Sequence, residues 1–425
     1  LFPDRMTIHD NSNLESTTRR LTTVLFIAQG LALLAIFTTS AISSITGTLL
    51  GGTARVAGWP SAATLIGGSL AAYPIGRLMG HVGRRIGLSI GYLIGMLGGI
   101  VAGLGVIGQS LSVFLIGSML LGAARVSSDQ ARYAAADVST LRNRARAVSL
   151  IVFAGTIGAV LGPALVPIAD RAGQAIGRGQ LVGPWLICGA LFVIPLIVIN
   201  IFLRPDPRDV AYQLSATNAL GQETIILAPA RSLLQVLADP AARVALIALG
   251  LAQIVMVMVM TITPVHMLDY AHPLEDISLV ISAHIVGMYG LSMVTGWLSD
   301  RVGRRAVIGL GSTLLIGACV FAPVNHDTLP LAASLFLLGL GWNCCFVAGS
   351  ALLTDRLLLH ERARVQGTAE LVVSVASAIG SLGSGELMAR VGFASATTIG
   401  MGLALVILAA SIARIAVRRA NESIA

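Results

Sequence analysis

Gly76-Arg-Leu-Met-Gly-His-Val-Gly-Arg-Arg85 and Gly296-Trp-Leu-Ser-Asp-Arg-Val-Gly-Arg-Arg305 stand 220 positions apart. Each copy directly follows a long apolar stretch. A second pair agrees with the first: Asp137 with Arg144-Ala-Arg146, and Asp355 with Arg362-Ala-Arg364, at an offset of 218. Two matched motifs in the same order, at nearly one offset, indicate a duplicated half. Working outward, the composition says what kind of half it is. Hydrophobic residues make up 55% of the 425 residues and charged residues 11%. Soluble domains carry about 25% charge, so too few charges remain to coat a water-facing surface. The chain reads as an integral membrane protein.

A spanning helix needs about 20 apolar residues to cross about 30 Å of hydrocarbon. Twelve such stretches are predicted, near 21–46, 59–79, 87–108, 111–134, 147–169, 184–203, 242–267, 277–298, 306–323, 329–353, 366–388 and 394–415. The fold expected is an all-α membrane protein with twelve transmembrane helices in two six-helix pseudo-symmetric halves. The divisions expected are a polar segment 1–20, a first half 21–203, a linker 204–241 with Pro205, Pro207 and Pro229, a second half 242–415 and a tail 416–425. The first twenty residues do not resemble a cleavable signal peptide, and the natural start is expected elsewhere than Leu1, with Met6 a candidate. All 28 basic residues are Arg. Most fall on one side of the spans, including Arg19, Arg20, Arg84, Arg85, Arg304 and Arg305. The opposite side receives Arg55, Arg171, Arg178 and Arg390. The rich side is cytoplasmic by the positive-inside rule, which puts both termini inside. Scattered loop arginines of this kind are orientation signals and imply no nucleic-acid partner; the partner expected is the lipid bilayer. Cys188, Cys319, Cys344 and Cys345 lie in apolar stretches and make no disulfide framework or metal-ligand loop. No nucleophile–base set or phosphate loop appears, so no enzyme is expected.

Parallel six-span repeats that hold a substrate near the midplane are a transporter architecture. The segment Gly296 to Arg305 also resembles the cytoplasmic loop signature of the major facilitator superfamily, and the likeness spans the chain through its 6+6 repeat. The resemblance implies secondary transport by alternating access in a bacterial inner membrane. It also implies a charge network of Asp300 with Arg304 and Arg305 that acts as a latch when the halves rock, with Asp137 and Asp355 as further gating or coupling candidates; plain positive-inside anchoring is the alternative. The N-terminal copy departs from the pattern, with Gly80 in place of the usual Asp. Leu121 with Arg125 fits a proton-coupling pattern. Gly158-x-x-x-Gly162-Pro163 resembles an antiporter motif, but Val166-Pro167 replaces its closing glycines.

Charges inside spans are costly and are functional candidates by default. Arg125 and Asp129 are four apart and share a helix face, with Arg132 competing for the acid. Glu370 sits one turn inside the eleventh span, and Glu386 lies near its outer end. The seventh and eighth spans carry another feature. Six of twelve methionines lie from Met256 to Met293, together with His266, His272 and His284, where even spreading of an apolar filler would place about one methionine. Met256 with Met260, and His284 with Met288, are i,i+4 pairs, each one turn apart on one face. Core packing remains the plain alternative. Soft sulfur with imidazole favours Cu(I). At the equivalent positions of the first half stand Ile36, Ser40, Thr64 and Gly68, so the fold itself does not require Met or His there. The paired motif resembles that of CcoA-type copper importers. The likeness implies that Met256, Met260, His284 and Met288 hold copper, as transported substrate and not as bound cofactor, for cytochrome oxidase assembly. From their place at the outer end of the seventh span, His266 and Met267 read as an entry site for the ion or as a helix-end cap. Cys344 and Cys345 read as packing. Related facilitators move organic molecules such as riboflavin or drugs, which keeps that substrate class open, as does a non-transporting copper sensor.

Overall fold

The computed structural model describes residues 11–139, 144–175, 177, 179–211, 233–324, 326–357 and 362–422. Parts of the expected N-terminal segment, linker and tail (1–10, 212–232 and 423–425), with Arg5, Arg142, Arg178 and Arg231, lie outside these, as do the side chains of Arg144, Arg146, Arg362 and Arg364.

Among the described residues all regular structure is helical. The first six principal helices are α1 Asn11–Ser40, α2 Trp59–Val82, α3 Arg84–Ile107, α4 Leu111–Asp129, α5 Arg144–Leu161 and α6 Val182–Phe202. The second six are α7 Pro240–Asp269, α8 Leu274–Tyr289, α9 Arg304–Phe321, α10 Thr328–Thr354, α11 Arg362–Val391 and α12 Phe393–Glu422. Several continue past a short break: α1 as Ser43–Gly51, α4 as Ala131–Asp137, α5 as Val166–Ala175 and α8 as Ser292–Val302. Among the described residues eleven helices are long and apolar enough to cross a bilayer. The one expected span that does not meet that measure is α2. It is 24 residues long, but Ser61, Thr64, Gly67, Gly68, Ser69 and Pro74 dilute its apolar content. Four of these, Ser61, Thr64, Gly68 and Ser69, line an internal cavity, which removes the demand for hydrocarbon side chains.

The repeat seen in the sequence has a counterpart in packing. In the first half α1 lies on α5 and α6, α4 lies on α2 and α3, and α3 lies on α6. In the second half α7 lies on α11 and α12, α10 lies on α8 and α9, and α9 lies on α12. Lipid tails supply no apolar driving force between helices, so close backbone approach through small residues does the work. Where α8 crosses α10, a Cβ on Gly339 would meet Met288 N at 2.9 Å. The repeated turns also match: Gly83 and Gly303 each sit at φ +102° between two helices, a conformation that side chains other than glycine's rarely adopt.

The halves meet at the arginine-poor end. There Ser43–Gly51 lies on α7, the turn Ala54–Val56 lies on α11, and α8 lies on Pro163–Leu165 and Val166–Ala175. Ser381 Oγ donates to Gly58 O at 2.8 Å, Arg55 pairs with Glu386 at 3.6 Å, and Arg171 pairs with Glu275. Glu386 also binds Arg390, so it serves as an ion-pair partner at this closed end.

Candidate functional site

Between the halves lies a cavity of about 580 Å³. Its first wall comes from α1, its extension and α2, with α4 adding Ser118, Leu121, Arg125 and Asp129. Its second wall comes from α7, α8, α10 and α11. Drug-sized ligands occupy pockets of roughly 300–1,000 Å³.

Arg125 and Asp129 both line this space. The ion pairs formed among the described residues leave both of them out. Arg125 lies over the ring of Phe37, 5.4 Å from its centroid, a cation–π contact. Asp129 feels the charge of both Arg125 and Arg132. Glu370 faces the cavity from α11. The candidate coupling groups are therefore three charges around one space. Gly158 and Gly162 seat α5 against α1, where a Cβ on Gly162 would meet Phe37 Cβ at 2.7 Å. That pair thus supports the ring beneath Arg125.

The second wall is aromatic and sulfurous. Trp342 stacks on Phe346 with centroids 4.8 Å apart, and Tyr289 meets Trp342 edge-on at 6.2 Å. Met256, Met260 and Met288 line the same space. Met258 is buried and packs toward α12, its Cε 3.5 Å from where a Cβ on Gly400 would stand. His284 differs from its expected partners and is absent from the cavity lining. It is fully buried, and its Nδ1 bonds Leu335 O at 2.9 Å. The close α8–α10 crossing brings that carbonyl within reach and turns the imidazole toward α10. Three sulfurs and one imidazole, expected to share a point, are thus divided between the cavity and the α8–α10 seam. Nδ1 donates to the carbonyl, which leaves Nε2 as the acceptor, and Nε2 has no hydrogen-bond partner.

His266 and Met267 do not line the cavity. Met267 is buried. His266 stacks on Phe393 at 4.2 Å and meets His326 through Nε2···Nδ1 at 3.2 Å. His272 bonds the His326 carbonyl at 2.8 Å and faces Asp276 at 3.4 Å. This cluster closes the arginine-poor end of the second half. Among the described residues no three His, Cys, Asp or Glu side chains form a group able to hold a metal ion. Cys344 and Cys345 are buried against α9, where Cys345 Sγ donates to Ile308 O at 3.7 Å.

At the arginine-rich end the repeated motifs converge in each half. Arg84 Nε donates to Asp137 Oδ2 at 2.8 Å. Arg304 binds Asp300 and donates from Nε to Asp355 Oδ2 at 3.3 Å. Sequence reasoning missed Asp206. Its Oδ1 accepts from Arg84 N at 2.9 Å and its Oδ2 from Arg85 N at 3.0 Å, so it caps α3. It also missed Phe37, Gln253, Tyr289 and Trp342 as cavity residues. The signal for Trp342 was an indole inside an apolar span, which needs a partner for its N–H.

Two repeated six-helix halves around a central cavity, sealed at one end, define a multi-pass membrane transporter. The chain belongs to the Major Facilitator Superfamily, whose family model matches residues 25–275 and 245–423. It is 35% identical over 360 residues to the uncharacterized MFS-type transporter YdeG of Bacillus subtilis, covering 84% of this chain and 83% of that protein. It is 25% identical over 370 residues to the riboflavin transporter RfnT of Brucella anthropi, covering 87% and 89%. Among solved structures it resembles a bacterial homolog of the human lysosomal transporter Spinster, inward-facing and unoccupied. The TM-score is 0.65 at 13% identity, over 93% of this chain and 94% of that one, and the likeness shows the fold alone. None of these relatives is named for copper.

Proposed function

We propose that the chain is a secondary-active transporter of an organic solute in a bacterial inner membrane, with both termini cytoplasmic. The observation that carries this is the cavity of about 580 Å³ with an aromatic wall. A bare ion needs ligands that converge on a point. The space here is wide, and His284, the strongest expected metal ligand, does not line it. The relative named for riboflavin supports a ring-bearing solute. With the arginine-rich end inside, the sealed end is outside and the cavity faces inward. Arg125, Asp129 and Glu370 are the groups proposed to couple solute movement to a proton, since all three face the solute's space. Copper import for cytochrome oxidase assembly rests on the methionine spacing and has no support from the relatives.

The test uses proteoliposomes loaded with the wild type or a Met256→Leu/Met260→Leu/Met288→Leu variant. Labelled riboflavin, ethidium and radioactive copper are the probes. One ring compound is expected to move, and the variant should keep its rate within about threefold, because Met-to-Leu exchange preserves volume and apolarity. Copper flux that vanishes in the variant and in His284→Leu, with no flux of either ring compound, would overturn the proposal.

A further inference from the structure

The two walls of the cavity differ in chemistry, and on the organic-solute reading that difference specifies the solute. We infer that the occupant is a planar ring compound carrying several hydrogen-bond donors. Its ring lies on the α7, α8 and α10 wall, and its donors face the α1, α2 and α4 wall.

On the ring wall the indole of Trp342, the amide of Gln253 and the hydroxyl of Ser377 engage one another. Trp342 Nε1 donates to Gln253 Oε1 at 2.7 Å. Gln253 Nε2 donates to Ser377 Oγ at 2.8 Å, and Ser377 Oγ donates to Val373 O at 2.9 Å. What this side offers a solute is the faces of Trp342, Phe346 and Tyr289 with the thioethers of Met256, Met260 and Met288. Aromatic rings and polarisable sulfur both favour flat apolar partners.

Five of the hydroxyls that line the opposite wall commit their protons to the helix backbone. Thr39 donates to Ile36 O at 2.9 Å, Ser40 to Phe37 O at 3.0 Å and Ser43 to Ser40 O at 3.0 Å. Thr64 donates to Pro60 O at 2.9 Å and Ser118 to Phe114 O at 3.0 Å. A hydroxyl has one proton and two lone pairs. With the proton bound to the helix backbone, lone pairs remain for the cavity. Asp129, on the same wall, is a further acceptor when ionised. The guanidinium of Arg125, stacked on Phe37, is the strong donor of this wall. Around it the wall presents several acceptors, and a solute that brings hydroxyl, amine or amide N–H groups satisfies them. A solute stripped of donors leaves those acceptors unpaired away from water, which a site rejects far more strongly than a missing methylene.

The experiment is equilibrium binding to the purified full chain in lipid nanodiscs, with two pairs of probes that share a ring. Riboflavin is set against lumiflavin, and adenosine against 9-methyladenine; in each pair the second member carries methyl in place of the polyol or sugar. The donor-bearing member of at least one pair is expected to bind tenfold or more tightly than its partner. A Ser40→Ala/Thr64→Val variant should reduce that ratio to threefold or less, by weakening only the donor-bearing member. Equal affinities within a pair that binds would overturn the inference and leave the organic-solute reading standing. Binding by none of the four would also overturn it; ethidium flux in the liposome assay then decides whether the organic-solute reading survives.

Discussion

After α2 and again after α8 and its extension, the chain turns through one glycine at φ +102° into an arginine pair, yet the two turns find their acids in different places. In the second half the acid lies within the motif. Asp300 is one helical turn before Arg304 and binds it, with Asp355 on the other side of the guanidinium at 3.3 Å. In the first half Gly80 stands where Asp300 stands in the second, and Arg84 has Asp137 alone at 2.8 Å. Asp206, from beyond α6, fills the gap differently. It accepts the backbone N–H groups of Arg84 and Arg85, where a helix N-terminus favours an anion. Arg208 then clamps the carbonyls of Gly80 and His81 at 3.1 and 2.6 Å. Asp300 is 70% exposed and Asp137 28%. One motif has thus become an exposed, self-contained ion pair in one half. In the other it is a part-buried joint fastened to the segment that leaves α6. The exposed pair is the more screened by solvent and the easier of the two to break.

Glycine replacement should separate the two turns most. Alanine at either position must adopt a backbone conformation that is essentially glycine's own, at roughly 1–3 kcal/mol. At Gly303 nothing lies within 4 Å of the added Cβ, whereas at Gly83 that Cβ runs into the Asp206 carboxylate. Gly83→Ala is therefore expected to lower the thermal unfolding midpoint of the detergent-solubilised protein more than Gly303→Ala does. Equal shifts would mean that Asp206 moves aside freely and that the joint is loose.

Removing the acids comes next in size. Asp206→Ala takes away a helix cap, and such losses run at about 0.5–2 kcal/mol. Asp300→Ala removes one partner of an exposed pair, worth about 0–1 kcal/mol. Unfolding of the two variants side by side reads the order directly, and a larger loss for Asp300→Ala would invert the comparison.

These residues also mark how far the sequence could be read. The helical spans, the duplication and the Asp300–Arg304 pairing follow from apolar length and from motifs repeated at nearly one offset, both of which survive folding. Asp206 was not legible. It lies about 120 residues from the helix it caps, and nothing in Pro205-Asp206-Pro207 names its target. The surroundings of His284 were not legible for a related reason. The i,i+4 spacing placed it beside Met288 on α8, and the α8–α10 crossing adds Leu335 O as the partner of its Nδ1, with the ring outside the cavity lining. Periodicity assigns a face; only packing decides which neighbour that face meets. The hydroxyls of α1 and α2 were passed over because serine and threonine in a span read as filler until a cavity shows what their lone pairs look into.

The smallest expected effect is the most discriminating. Gly80→Asp rebuilds in the first half the acid that the second half has. The site can take it, because nothing lies within 4 Å of a Cβ there, and the new carboxylate would stand four residues before Arg84, as Asp300 does before Arg304. In the wild type Arg84 already binds Asp137 and Asp206 already caps α3, so the substitution should change stability by less than about 0.5 kcal/mol, as surface changes usually do. In the Asp206→Ala background the same carboxylate has work to do. It lies near an arginine released from part of its environment and should recover a measurable share of the lost unfolding midpoint. The non-additivity of the two changes is then the measure of how far one acid substitutes for the other. Strict additivity would show that the two halves do not solve the same electrostatic problem, and that Asp206 is a helix cap with no share in the charge network.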